Sequence, residues 1–227
     1  IVRLVGSEMC IRDSLNRGYA KFKVVSKQVN LSPDKEDIYI TLSINEGNLY
    51  KFGKTTIYGL DNFDSNLFKN IINYNLKPGS FFSRSNIEAT KKAIEFVLGE
   101  KGYAFPTIQL NADLRDDSES VDITFRIDPK KESFVRRINI KGNTKTNDEV
   151  YRRELRQFES SIYSINKVER SKIRLQRLKF INQVDVKKTI IDEENGYIDI
   201  DFILEETQSG EFKAVSYTHL RAHETYD

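Results

Sequence analysis

What this chain has little of narrows the field first. It holds one cysteine, one methionine, two histidines and no tryptophan in 227 residues. Met9, Cys10, His219 and His223 all stand close to one end or the other. The long stretch between them therefore offers no disulfide framework, no thiolate or imidazole metal site, and no cysteine or histidine catalysis. No segment approaches the roughly 18 consecutive apolar residues that a membrane-spanning helix needs, and no secretory leader is visible. Neither Gly-x-Gly-x-x-Gly nor Gly-x-Ser-x-Gly occurs. The stretch GNLYKFGKT, residues 47–55, ends like a phosphate-binding loop, but its spacing is one residue too long. A strand-like TTIYG also follows it, where a helix N-terminus must present its N–H groups. Adjacent carboxylates fall in turns and strand exits, with no apolar pocket to shift them towards acid–base work. An excess of one sign of charge is missing too: 36 Lys and Arg stand against 34 Asp and Glu. Such balance argues against a nucleic-acid footprint.

What is present is a repeat. Gly-Tyr-Ala stands at Gly18–Ala20 and again at Gly102–Ala104. Alternating apolar runs follow, at Ile38, Ile40, Leu42 and Ile44, at Val121, Ile123, Phe125 and Ile127, and at Ile198, Ile200, Phe202 and Leu204. Alternation places one set of side chains on a single face, so each run reads as a half-buried strand. Gly59 and Gly142, 83 residues apart, each close a β-rich run, where glycine permits positive φ as the strand turns towards a helix. Leu67, Phe68, Ile71 and Ile72 then fall at helical spacing, as do Val150, Tyr151, Leu155 and Phe158. A second amphipathic segment follows in each copy, through Ile87, Ile94, Val97 and Leu98 or through Val168, Leu175 and Leu178. Ser85 with Glu88, Thr146 with Glu149, and Asn166 with Glu169 have capping-box spacing.

The unit therefore reads β-α-α-β-β, in the α+β class, as a three-stranded mixed sheet backed by two helices. Complete copies are expected at residues 48–131 and 132–206, with the tail of an earlier copy at 15–47. Turns at SPDKED, DLRDDSES and DEENG close the hairpins. Their acids lack the spacing of a calcium loop and read as solvated turns. The ends lack this periodicity. SEMCIRDS and VSYTHLRAHETYD resemble translated sequencing-adapter read-through, so residues 1–14 and 215–227 are set aside as non-native, with 207–214 as an exit segment.

In such a unit one hairpin strand is expected to keep an unpaired flank, whose backbone N–H and C=O groups an extended peptide can complete. The candidate flanks are Lys21–Ser26, Thr107–Leu114 and Val184–Ile191. The pairing positions singled out are Thr107, Ile108, Gln109 and Leu110, and Val184, Asp185, Val186 and Lys187.

These residues also carry a resemblance. FVRRINIKGNTKTNDEVYRRELRQFESS, with RLQRLKFINQVDV and IDIDFILEETQSGEF, resembles the last polypeptide-transport-associated (POTRA) domain of the BamA family of outer-membrane assembly factors. NRGYAKF and EGNLYKFGKTTIYGL resemble the junction of that family's third and fourth POTRA domains, and EKGYAF its fourth. The resemblance implies a non-enzymatic periplasmic scaffold without cofactors, lying before a transmembrane β-barrel and after two further POTRA domains. Its partners would be unfolded outer-membrane clients and accessory lipoproteins. By position, Arg152, Arg153, Arg156 and Glu159 would dock a lipoprotein; helical spacing puts Arg152, Arg156 and Glu159 on one face, which an ordinary solvated helix would also show. Translocation-and-assembly-module proteins and two-partner secretion transporters share the unit, but the domain-junction matches favour BamA. A repeat adhesin or nucleic-acid module is a different class. Against the latter, no GXXG loop follows a helix and no aromatic pair forms a stacking platform.

Overall fold

A computed structural model describes residues 5–32, 34 and 37–207. Helix α1 (Val5–Asn16) leads into a hairpin of β1 (Lys23–Leu31) and β2 (Ile38–Asn45). The next unit contains β3 (Lys51–Tyr58), α2 (Ser65–Asn75), α3 (Arg84–Glu100), β4 (Thr107–Arg115) and β5 (Ser120–Asp128). The last contains β6 (Phe134–Lys141), α4 (Asp148–Arg152), β7 (Ser161–Ile162), α5 (Ile165–Gln176), β8 (Ile181–Asp192) and β9 (Tyr197–Glu206). The β-α-α-β-β order expected from the sequence is thus present twice, with a two-residue strand added in the second copy.

The last strand of each unit lies inside its sheet. The orders are β3-β5-β4 and β7-β6-β9-β8, with β3 parallel to β5 and β6 parallel to β9. Burial follows from that central place. Val121, Ile123, Phe125 and Ile127 on β5, and Ile198, Ile200, Phe202 and Leu204 on β9, are all buried. Phe68, Ile72, Ile94 and Leu98 cover the first sheet; Tyr151, Leu155, Val168 and Leu175 cover the second. Gly59 and Gly142 take φ of 89° and 85°, the left-handed geometry that the strand exits require.

Four expectations differ from the structure or fall partly outside its described residues. The first concerns Ile38, Ile40 and Ile44, which are exposed rather than half-buried, because no helix layer covers the β1–β2 ribbon among the described residues. The second concerns the expected end segments: residue 14 lies within α1 (Val5–Asn16), and the segments 208–214 and 215 onward lie outside the described residues.

The third concerns α4, which is only five residues long. Tyr151 and Leu155 do reach the core, yet Phe158 is 63% exposed. The chain leaves the helix because side chains beyond it replace the helical bonds. The Ser171 hydroxyl accepts the Arg156 N–H at 2.8 Å, and the buried Gln157 donates to Ser161 Oγ and Ile162 O and accepts from Ser164 N–H.

The fourth concerns the caps. Ser83, Asn147 and Ser164 occupy the cap positions of α3, α4 and α5, and none of the three expected boxes forms. Distant residues satisfy several of the free N–H groups instead. Asn16 Oδ1 takes Ser85 N–H at 2.9 Å, and Glu100 Oε1 takes Asn166 N–H at 2.7 Å. Orphan donors at these helix starts are therefore used to join one copy to the next.

Candidate polypeptide-binding edges

In the first complete unit β4 pairs only with β5, from Thr107↔Asp128 to Arg115↔Ser120. In the second, β8 pairs only with β9. The structure thus places Thr107, Ile108, Gln109 and Leu110 on one outer strand, and Val184, Asp185, Val186 and Lys187 on the other. Leu110 and Leu114 are partly exposed along β4, and Ile190 and Ile191 along β8. Both strands carry one bare flank among the described residues, and each flank has apolar side chains beside it. The third candidate, Lys21–Ser26, contributes its last residues to β1, which among the described residues pairs only with β2.

The four charged positions fare differently. Arg152 ends α4, while Arg153, Arg156 and Glu159 lie beyond its last residue; Arg152, Arg156 and Glu159 therefore do not share a helical face. Two of them are engaged within the chain. Glu159 Oε1 accepts the Ile138 N–H at 2.8 Å, and Arg152 Nη2 donates to the Ile138 carbonyl at 3.1 Å. Arg153 is exposed and lies 3.8 Å from Glu154.

Arg156 belongs to a cleft of about 540 Å³ with Lys167, Arg170, Ile173, Arg174 and Arg177. Only Arg174 among these cations has an acidic partner, Glu154 at 2.6 Å, among the described residues. The signal for this surface was in the sequence: Lys167, Arg170, Arg174 and Arg177 recur at three- and four-residue spacing, which lines them along one side of α5.

Sequence reasoning also missed two residues that join the copies, Asp116 and Lys188, and one that ties the last copy together, Glu206. Asp116, in the β4–β5 turn, accepts from Lys21 Nζ at 2.5 Å and from the Tyr50 hydroxyl at 2.7 Å. These bonds hold its carboxyl below the usual range, so this turn is tied to the preceding copy and is not merely solvated. Lys188 on β8 reaches the Ala104 carbonyl at 2.8 Å and lies over the rings of Phe105 and Tyr163. Burial lowers its pKa. Glu206, at the end of β9, receives the N–H groups of Thr144, Lys145 and Thr146 and the Tyr151 hydroxyl. The Tyr151 bond leads the causes that bring its carboxyl down to about 2. No sequence pattern marks any of the three, since each partner is distant in the chain.

Among the described residues no group of three or more His, Cys, Asp or Glu is placed to hold a metal. No helix among them is long and apolar enough to cross a membrane, which says nothing of a β-barrel. The arrangement defines a class: a tandem-repeat α+β protein whose complete units each have an outer strand paired on one side among the described residues.

The family follows from comparison with known proteins. The model of the POTRA family, surface antigen variable number repeat, matches residues 50–130 and 133–207; the chain belongs to this family. The outer membrane protein assembly factor BamA of Neisseria meningitidis serogroup B is 31% identical over 197 residues, covering 86% of this chain and 24% of that protein. BamA of Buchnera aphidicola is 30% identical, covering 86% and 31%. The chain thus spans between 24% and 31% of the length of these two relatives. The crystal structure of Haemophilus influenzae BamA POTRA3-5 superposes with a TM-score of 0.82 at 30% identity, over 88% of this chain and 78% of that one. The resemblance to BamA-family assembly factors read from the sequence is borne out by these matches.

Proposed function

We propose that this chain is the periplasmic POTRA scaffold of an outer-membrane β-barrel assembly factor, and that it holds unfolded outer-membrane proteins as added strands along β4 and β8. The single observation that carries this reading is the one-sided pairing of both strands, in sheets ordered β3-β5-β4 and β7-β6-β9-β8. Backbone pairing of this kind tolerates many side chains, which suits clients that share strand character and little else. Residues 15–47 would close one POTRA domain, 48–131 and 132–206 would form the next two, and 207–214 would approach the barrel.

A second surface serves accessory lipoproteins. Arg156 lines the basic cleft along α5, where cations without acidic partners fit a carboxylate-bearing surface through forked guanidinium pairing; Arg153 is exposed beside Glu154. Glu159 is held by the Ile138 N–H and lies beside Arg152.

Titration of the isotope-labelled full chain with an unfolded outer-membrane strand peptide tests the client reading. Amide shifts should gather on Thr107–Leu114 and Val184–Ile191. Shifts confined to the helices would refute it. For the docking surface, Arg156→Glu should weaken lipoprotein binding, and unchanged binding would remove that role.

A further inference from the structure

The outer flanks of β3 and β6 are equivalent, and they differ past their starts: Ile138 is closed from outside the sheet and Thr55 is not, among the described residues. The copies align through their central strands: Thr55 pairs with Ile123 as Ile138 pairs with Ile200, and both parallel pairs carry a register shift just before this point. Near its start each outer flank is closed by the chain itself. In the first unit Phe52 N–H donates to Ser80 O at 2.8 Å and Gly79 N–H to Phe52 O at 2.8 Å. In the second, Ser160 N–H donates to Val135 O at 2.7 Å and Tyr163 N–H to Ser133 O at 2.9 Å.

The copies then differ. Both backbone groups of Ile138 are met from outside the sheet, its N–H by Glu159 and its C=O by Arg152. An acceptor and a donor so placed stand in for one residue of a neighbouring strand. At Thr55 no such pair exists. Lys69 stands where Arg152 does, 83 residues earlier, and α2 runs on to Asn75, so no loop returns a carboxylate. Lys54 N–H points inward to Asp122 Oδ1 at 2.7 Å, and alternation along the strand turns the backbone groups of Thr55 and Ile57 outward. No hydrogen bond reaches either from the α2 side among the described residues.

That flank opens on a groove of about 530 Å³ between β3 and α2, lined by Thr55, Ile57, Leu60, Phe63, Phe68 and Ile72. The Thr55 hydroxyl oxygen is buried there without a hydrogen-bond partner. We propose that the β3–α2 groove is a further docking site of this chain, and that its occupant is an extended polypeptide segment with alternating apolar side chains. Its backbone pairs with Thr55 and Ile57, and its apolar side chains enter the groove. The second unit supplies the template, since at the equivalent place its own Arg152 and Glu159 meet the C=O and N–H of Ile138. This site rests on the reading that the chain receives extended polypeptides, but it lies on the edge opposite β4.

A ten-residue peptide alternating Val or Phe with Thr and Gln is the probe, titrated into the labelled full chain. Amide shifts are expected at Thr55, Ile57, Phe68 and Ile72, and none at Ile138. Lys69 is exposed, so Lys69→Trp should fill the groove mouth, keep the fold and weaken this binding about tenfold or more, near 1.4 kcal/mol. The same peptide N-methylated at its amides should not bind here. Shifts confined to β4 and β8 would overturn this site and leave the proposed function standing; an absence of shifts anywhere would overturn both. Equal binding of the N-methylated peptide at the groove would overturn strand pairing as its basis.

Discussion

Glu159 and Ile138 are joined by a 2.8 Å bond from the Ile138 N–H to the Glu159 carboxylate, across 21 residues of chain. A residue that seals a strand flank in this way has a structural duty separate from any partner it meets. Glu159→Gln keeps an acceptor for the N–H, whereas Glu159→Lys removes it and places a second cation beside Arg152. The glutamine variant should unfold within a few tenths of a kcal/mol of the parent, and the lysine variant should lose roughly 1 kcal/mol, the net worth of one such bond. Urea unfolding of both variants checks this. A lipoprotein-binding defect in Glu159→Gln at unchanged stability would assign the charge itself to docking.

Gly59 and Gly142 occupy the same place in successive copies, and a Cβ on either would strike a carbonyl. It would lie 1.9 Å from Ile127 O in the first and 2.0 Å from Leu204 O in the second. Positive φ alone costs a non-glycine residue about 1–3 kcal/mol, and backbone cannot move aside as a flexible side chain can. Gly59→Ala should therefore destabilise by at least that amount. Because β3 and β6 belong to separate sheets, the loss should be local. Amide exchange should accelerate on β3, β4 and β5 while that of β9 stays slow; equal acceleration in both units would contradict the independence of the cores.

The difference between what was legible and what was not follows the range of the interactions. Ile198, Ile200, Phe202 and Leu204 alternate because a strand alternates, so their burial could be read directly. Gly142 could be read for the same reason, since backbone geometry is local. The short α4 could not: Tyr151 and Leu155 satisfy the helical period, and what ends the helix is Ser171 and Gln157, side chains whose partners only the fold supplies. The caps failed likewise, because Asn16 and Glu100 reach helix starts from far along the chain. For the candidate site, strand positions on β4 and β8 were legible from the repeat, whereas the sealed flank at Ile138 and the open one at Thr55 required both copies in three dimensions.

Glu206 links the fold of the last unit to acid. Its carboxyl titrates at about 2, against an ordinary value of 4.5, held down by the Tyr151 hydroxyl and the N–H groups of the 144–146 loop. The unfolded chain takes up this proton more readily than the folded one, so the contribution is complete above pH 4.5 and is lost as pH falls towards 2. Glu206→Gln should lower the urea midpoint at pH 7, and the gap to the parent should narrow between pH 5 and pH 2. A gap that held constant across that range would show that the charge contributes nothing.

Lys188 bridges the last two units. Its Nζ donates to the Ala104 carbonyl at 2.8 Å and lies 5.0 Å from the Phe105 ring centroid and 5.1 Å from that of Tyr163. Burial disfavours its charge, with Glu95 and Glu169 acting the other way; two aromatic faces and a carbonyl offset the desolvation. Close packing adds to this, since a Cβ on Gly99 would lie 2.9 Å from Ile165 Cβ. Backbone also crosses the junction, from Ser133 N–H to Gly102 O at 2.8 Å. Lys188→Met keeps the apolar stem but removes the donor and the cation, leaving Ala104 O without its partner and the rings without their charge. Residual dipolar couplings should then report a broader range of angles between the two units, with the couplings inside each unit unchanged. Gly99→Val should act through a different cause, wedging α3 from α5 and shifting the mean angle. If Lys188→Met leaves the angular range as narrow as in the parent, the backbone bond and the helix contact hold the junction without it.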